Sequence, residues 1–513
     1  MKHSLRLLVS AGLVALAGAA TPALAGKSDD TLVWATDKEV NTIIPRYNNL
    51  RETVTLDMNV WDTLVYRDPK TFEYKPLIAE SWKWVDDTTL EFQLRKGIKF
   101  HDGSALDAED VVATFNHFAR PDSGVLSRNY VNWIAKAEKV DDHKVRVTAK
   151  EPFPAALEMV ALAIPILPAG IWDQAKKDAT GKPDYGTVPP IGSGPYKIAE
   201  FVPSQTIKMV RFDDYFPESS KPKPKIKNLV FRTITDKETQ VAELITGGVD
   251  WIWDVPKDRA EELQQMPSVK VVNADTMRVS YIGMDAAGRA GKNPFNDVRV
   301  RKAVAHAIDR PAIVKSLVGG DARVVNAPCY PSQVGCTDDV PKYAYDPKKA
   351  KALLAEAGYP DGFDTDIYAY RERHYTEAAM GYLRAVGIRS NLKFMQFQAL
   401  RQLVWEGKTP FFHMTWGSSS VNDISAFTSL FFEGGRDDYC RDEQVIAWMK
   451  EGDTTVDPDK RKALYQKALS RIMELACWLP MFTYSKYYAF NAALDFTPPP
   501  DEIPRFYRAS WKQ

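Results

Sequence analysis

Ala79-Glu80-Ser81-Trp82, then Leu90-Glu91-Phe92-Gln93-Leu94-Arg95-Lys96-Gly97-Ile98-Lys99-Phe100-His101-Asp102-Gly103, is the stretch from which the fold can be read. An Asp86-Asp87 turn separates Trp82 from a run in which Leu90, Phe92 and Leu94 face one way and Glu91, Gln93 and Arg95 the other. That alternation is the period of a half-buried strand. Val140 to Lys150 repeats the theme: an apolar residue, an Asp141-Asp142 turn and an alternating strand. Both segments read as β-hairpins. Between them Asp107 and Asp110 have capping-box spacing, and Val111, Val112, Phe115 and Phe118 form a helical stripe. His101-Asp102-Gly103 is better explained as a turn between strand and helix than as a catalytic or metal-binding set. The whole is an α+β module.

Further along, Asn296 or Asp297 caps a helix carrying Val300, Ala303, Val304, Ala307 and Ile308, and Pro311 suits the first turn of the next. Asp346, Pro347 and Gly358 frame another helix as N-cap, first position and stop. Glu443 to Lys450 and Pro458 to Leu475 read as an antiparallel helix pair. The apolar run Ala155 to Leu167, interrupted by Glu158 and Pro165, is buried core, and Lys221 to Lys227 reads as a solvated linker.

The N-terminus has a charged stretch, an apolar run from Leu7 to Ala20 and the small-x-small site Ala23-Leu24-Ala25. This is the pattern of a cleaved secretory signal covering residues 1–25, and the run is too short for a spanning helix. Gly26 follows the cut, so no lipid-bearing cysteine is expected there. The chain of 513 residues carries 67 basic and 67 acidic residues, and loss of Lys2 and Arg6 tips the balance slightly negative. The length suits two or three domains, and a near-neutral charge without a basic block argues against nucleic acid. Four cysteines, Cys329, Cys336, Cys440 and Cys477, contain no Cys-x-x-Cys pair. In an exported chain they favour two disulfides, with three possible connectivities. Cys329–Cys336 would close a short loop, and the helix pair would bring Cys440 to Cys477.

The seven histidines show no His-x-x-x-His pair, and no Gly-x-Ser-x-Gly or His-Glu-x-x-His occurs. Ser220-x-x-Lys223 and Ser390-x-x-Lys393 match a penicillin-binding spacing but fall in a linker and a strand. Gly192-Ser193-Gly194 is followed by Pro195, which removes a backbone donor that a phosphate cradle needs.

The opening stretch, with Ile191-Gly192-Ser193-Gly194-Pro195-Tyr196, Asn296 through Ala303, Tyr345-Asp346-Pro347 and Ala357-Gly358-Tyr359-Pro360 in order, resembles the family 5 extracellular solute-binding proteins. The resemblance covers nearly the whole mature chain. It implies an α/β, two-lobed periplasmic-binding-protein fold of the large, three-subdomain type with a hinge between lobes. Lobe I would span 26–275, including a hairpin subdomain at about 70–188; lobe II would span 276–483, and 484–513 would return to lobe I. The hinge crossings would lie near Ala274 to Arg278 and Met481 to Tyr484. The implied function is the periplasmic, non-enzymatic capture subunit of an ABC importer. It would act as a monomer without cofactor, taking a peptide or related small polar solute to a membrane permease. A glycoside, opine, or metal or haem complex is the alternative cargo; a secreted carboxylate-dependent hydrolase is the alternative of another class.

Within that resemblance the informative segment is Trp416-Gly417-Ser418-Ser419-Ser420-Val421-Asn422-Asp423. A plain surface loop is the competing reading. The family places it on the cleft wall of lobe II, where peptide binders hold the ligand ammonium with an aspartate. Ser419 occupies that position here, and Asp423 is the nearest acid. Either Asp423 makes the contact, or hydroxyl and amide groups hold a ligand lacking a free amino terminus there. Nickel-binding relatives use a histidine slightly beyond, and none occurs from Trp416 to Phe432. Arg371 and Arg373 fall near where some dipeptide binders hold the ligand carboxylate, although both could equally be exposed at a helix start beside Glu372. Tyr47, Asn48 and Asn49 would face the cleft from lobe I.

Overall fold

The two hairpins form one four-stranded antiparallel sheet, in which Thr89–Leu94 and Lys144–Ala149 pair at the centre, flanked by Ala79–Asp86 and Ile134–Asp141. The computed structural model describes residues 26–48, 50–417 and 420–513; the expected signal segment lies outside them. Helix Ala108–Ala119 covers this sheet. Its capping box is made as expected: Glu109 N donates to Asp107 (2.7 Å) and Asp107 N to Asp110 (2.9 Å).

Among the described residues, a ten-stranded mixed sheet runs through the rest of the molecule. Its first half joins Tyr196–Val202, Thr206–Arg211, Asn228–Thr233, Thr31–Thr36 and Trp251–Trp253. Its second half joins Phe411–Trp416, Phe363–Ala369 and Ile388–Phe394. Two long neighbours, Trp478–Asn491 and Val269–Met284, connect the halves. Their pairing slips between Asp275 and Val279, so three residues on one strand face a single residue, Tyr484, on the other. A bulge of this kind bends and twists the strand that carries it.

Apolar side chains gather on either side of that slip. One core runs from Leu32 to Trp253 and takes in Tyr488 to Ala509; its centre is an aromatic nest of Trp34, Phe231, Trp251 and Phe506. A second core runs from Met277 to Tyr484. Helix Val298–Ala307 is capped by Asp297, and Pro347–Glu356 starts at Asp346 with proline at its first position. Helices Glu443–Thr454 and Pro458–Leu475 pack together, and both disulfides, Cys329–Cys336 and Cys440–Cys477, are formed.

The Gly192-Ser193-Gly194 turn and His101 explain each other. A Cβ at Gly192 would sit 2.1 Å from the Val60 carbonyl oxygen, so only glycine allows the approach. His101 Nδ1 accepts from Gly192 N (3.2 Å), which leaves Nε2–H to donate to Gly194 O (2.9 Å). Burial holds this imidazole down to about 4, so it is a neutral tie between two segments.

One expectation is corrected. Lys221 is not part of a solvated linker: its ammonium is buried, paired with Asp62 at 2.8 Å, and donates to Met58 O and Trp61 O. An alkyl stem long enough to reach those carbonyls carries the charge inward, where three acceptors replace water.

Candidate functional site

Between the two cores lies a cavity of about 730 Å³, walled by residues from both. On the first side Trp133 and Phe153 stack at 5.4 Å and an angle of 24°, with Asn129, Asn132 and Met159 beside them. On the second side Trp416, at the end of Phe411–Trp416, stands over Ala426 and Leu430 of helix Ser425–Phe431. The Trp416 indole is fixed by donation to Ala426 O (3.3 Å) and by an edge contact with Phe431 at 5.6 Å. Lys150, Glu151 and Lys450 are exposed at the rim. Apolar walls with a few charges of both signs suit an amphipathic polar solute.

Two acids, Glu433 and Asp453, face this space from the second side. Burial, and then the neighbouring Glu433 charge, push the Asp453 carboxyl well above the ordinary carboxylate range; burial also raises Glu433. Tyr465 donates to Asp453 at 2.6 Å. Two carboxyls that face each other cannot both ionise freely, which is why both are held above the ordinary carboxylate range.

The expected site residues separate into groups. Trp416 lines the cavity. Gly417 lies against the Arg278 guanidinium, which a Cβ there would approach to 3.2 Å. Ser420, at φ 67°, donates to Asp501 O (2.6 Å) and accepts from Arg51 (2.6 Å). Asn422 N donates to Glu158 at 2.6 Å. Asp423 makes a two-pronged pair with Arg461, both contacts 2.7 Å, and accepts from the Ser425 hydroxyl. With both oxygens committed and the group buried, it is not free for a ligand ammonium. Tyr47 bonds His117 (2.8 Å) and Ser123 O (2.9 Å), while Asn48 accepts from Leu50 N at the start of helix Arg51–Val60; neither lines the cavity. Arg371 pairs with Glu372 (2.6 Å) and lies over the Tyr484 ring, and Arg373 pairs with Glu377 (2.7 Å) on an exposed helix start. Asn49, Ser418 and Ser419 lie outside the described residues.

Comparison with known proteins fits this geometry. The family described as bacterial extracellular solute-binding proteins, family 5 Middle, matches residues 73–438, well over half of the chain. The chain belongs to this family of bacterial extracellular solute-binding proteins. Similar relatives include the glutathione-binding protein GsiB of Salmonella typhi, 28% identical over 480 residues and 90% of each chain. GsiB of Escherichia coli K12 is 27% identical over 431 residues, 80% of this chain and 81% of its own. Among solved structures, HbpA2 of Haemophilus parasuis superimposes with a TM-score of 0.80 at 27% identity, covering 94% of this chain and all of its own. DppA of Helicobacter pylori, in complex with the peptide STSA, gives 0.76 at 23% identity, covering 94% and 98%. The fold is therefore the two-lobed periplasmic-binding-protein fold.

Away from the cavity lining, two buried charge clusters of this binding protein were not foreseen in the sequence. Glu502 forms an ion pair with Lys486 (3.3 Å) and lies 3.5 and 3.6 Å from Arg51 and Arg278. Burial works to raise its pKa, but Lys486, Arg278, Arg51 and Arg371 outweigh it and hold the carboxyl well below the ordinary range. Arg67 pairs with Glu158 and with Asp501 (2.7 Å), all three buried. One signal was available: Glu158 interrupts an otherwise apolar run, and a charge there requires a buried partner.

A serine and a histidine do meet in this protein. His413 bonds Ser280 (2.7 Å) and Thr376 (2.8 Å), but all three are buried in the second core. The cavity lining contains neither histidine nor cysteine. No helix among the described residues is long and apolar enough to cross a membrane, and none of their acidic, histidine and cysteine groups forms a metal cluster.

Proposed function

We propose that this binding protein is the capture subunit of an ABC importer, exported to the periplasm by cleavage after Ala25, without a lipid anchor and without enzymatic activity. It takes a short peptide or peptide-like zwitterion into the inter-lobe cavity and presents it to a membrane permease. Lobe I comprises 26–275 with the hairpin subdomain at about 70–188, lobe II comprises 276–483, and 484–513 returns to lobe I. The slipped pairing of the two long strands is the hinge.

The observation that carries this reading is the cavity: aromatic surface on both walls, ammonium and carboxylate groups of both lobes at its rim, and the Glu433 and Asp453 carboxyls facing it from the second side. A peptide offers the complement, an ammonium, a carboxylate and apolar side chains. Its size falls within the roughly 300–1,000 Å³ usual for small-ligand sites. The relatives named for glutathione and crystallised with a peptide point the same way.

Native mass spectrometry of protein purified without refolding is the first test, followed by calorimetry with di- to tetrapeptides and glutathione. A retained species of peptide mass and saturable binding of at least one member are expected. Silence across the whole panel overturns the peptide class.

A further inference from the structure

Glu433 and Asp453 differ from the buried acids of this protein in what they lack. Asp57 pairs with Arg46, Asp62 with Lys221, Glu158 with Arg67, and Asp423 with Arg461. Asp285 and Asp438 have no cation but accept backbone N–H groups instead, the first from Arg289 and Ala290, the second from Gly434, Cys440 and Arg441. The two acids in the cavity wall have neither kind of partner. Glu433 Oε1 is sealed from solvent with no hydrogen-bond donor, and among the described residues Asp453 receives only the Tyr465 hydroxyl (2.6 Å). A carboxylate taken out of water without a cation or a set of donors is costly, and here two of them face each other.

Their surroundings favour a positive charge. Asp453 lies in the last turn of helix Glu443–Thr454, whose carbonyl end carries partial negative charge. Glu151 of lobe I and Asp438 add to the negative potential at Glu433, and the exposed Lys450 only partly offsets it. The other polar groups of this wall are already committed. Arg401 pairs with Asp437 (2.7 Å), the Ser425 hydroxyl donates to Asp423 (2.7 Å), and the Ser429 hydroxyl donates to Ser425 O (2.6 Å). Asp423 itself, the acid expected to meet an ammonium, is closed off by Arg461. The cavity therefore presents one uncompensated anionic point, set opposite the Trp133–Phe153 stack.

We propose that Glu433 and Asp453 together hold the primary ammonium of the ligand, so that solutes with a free amino group are selected over their N-blocked counterparts. The inference rests on the inter-lobe capture reading. An ammonium has three donors and one positive charge. Seated between the two carboxyls it gives each a charge-assisted hydrogen bond and removes their mutual repulsion. An N-acetyl group supplies no charge and leaves both acids as they were.

The test compares each peptide of the calorimetric panel with its N-acetylated form, on protein freed of bound solute by unfolding in guanidinium with disulfides intact and refolding. The parent is expected to prefer the free amine at least tenfold. Glu433→Gln and Asp453→Asn are each expected to narrow that preference, and the double variant to abolish it, while binding the acetylated form no more weakly than the parent. A purely structural role would weaken both forms alike and leave the ratio unchanged. Circular dichroism verifies that each variant is folded; should Asp453→Asn fail to fold, Glu433→Gln decides alone. Equal binding of the two forms by the parent, or an unchanged preference in the folded variants, overturns the ammonium site and leaves the peptide reading standing. Should no peptide bind, the cargo reading falls, and phenethylammonium followed by ligand-observed NMR decides the site. Saturable binding to the parent that is lost in the folded variants sustains it, and no binding overturns it.

Discussion

Asp423 and Arg461 form a buried pair whose partners are 38 residues apart, and that pairing, rather than ligand contact, determines what the aspartate does. Removing one partner of such a pair leaves an uncompensated buried charge. Arg461→Ala is therefore expected to destabilise the fold by about 3–5 kcal/mol in urea unfolding. A loss below about 1 kcal/mol would place the pair among exposed bridges and return Asp423 to the ligand. His413 offers a test by pH. Burial lowers its pKa to about 4, against 6.5 in the unfolded chain, so the unfolded state takes up a proton first as pH falls. The stability of the neutral imidazole is complete above pH 6.5 and is lost between 6.5 and 4, about 3 kcal/mol in all. Comparing His413→Asn with the parent isolates this from Asp57 and Asp250, whose raised values near 6 act in the opposite sense. The His413 contribution predicts a flatter stability profile in the variant over that window. At this scale the sequence was least legible. Trp416 could be placed on the cleft wall through the loop that carries it, but the partner of Asp423 and the inward turn of Lys221 depend on segments far away along the chain.

Elements were more legible, because caps and periodicity are local. The Asp107–Asp110 box, the Asp346-Pro347 start and the hairpin alternation could each be read within a dozen residues, and each is present. The pairing of Cys440 with Cys477 followed from one helix-pair argument. The order of the ten strands did not, since the neighbours of Val269–Met284 are strands about 200 and 130 residues away. The disulfides test the element scale. By chain entropy, closing the 37-residue separation of Cys440–Cys477 contributes about 4 kcal/mol, against about 2 kcal/mol for the 7-residue separation of Cys329–Cys336. Cys440→Ser/Cys477→Ser should therefore lower the unfolding midpoint more than Cys329→Ser/Cys336→Ser in calorimetric scans. The reverse order would mean that the second pair holds more than its own small loop.

For the whole molecule, two cores joined by a pair of long strands place a cavity where neither core alone could enclose one. Trp416 supplies apolar surface to that cavity from the second lobe, and loss of a large aromatic wall typically costs 2 kcal/mol or more in binding. Trp416→Ala should thus weaken the best peptide of the calorimetric panel by roughly thirtyfold, measured at a temperature where circular dichroism shows the variant folded, since the indole also packs on Phe431. The most direct measurement is hydrogen exchange read by mass spectrometry, with and without that peptide. Capture between lobes predicts slowed exchange in both walls together, the Trp133–Phe153 region of lobe I and the Trp416–Leu430 region of lobe II. Slowing confined to one lobe, or centred away from both segments, would contradict it.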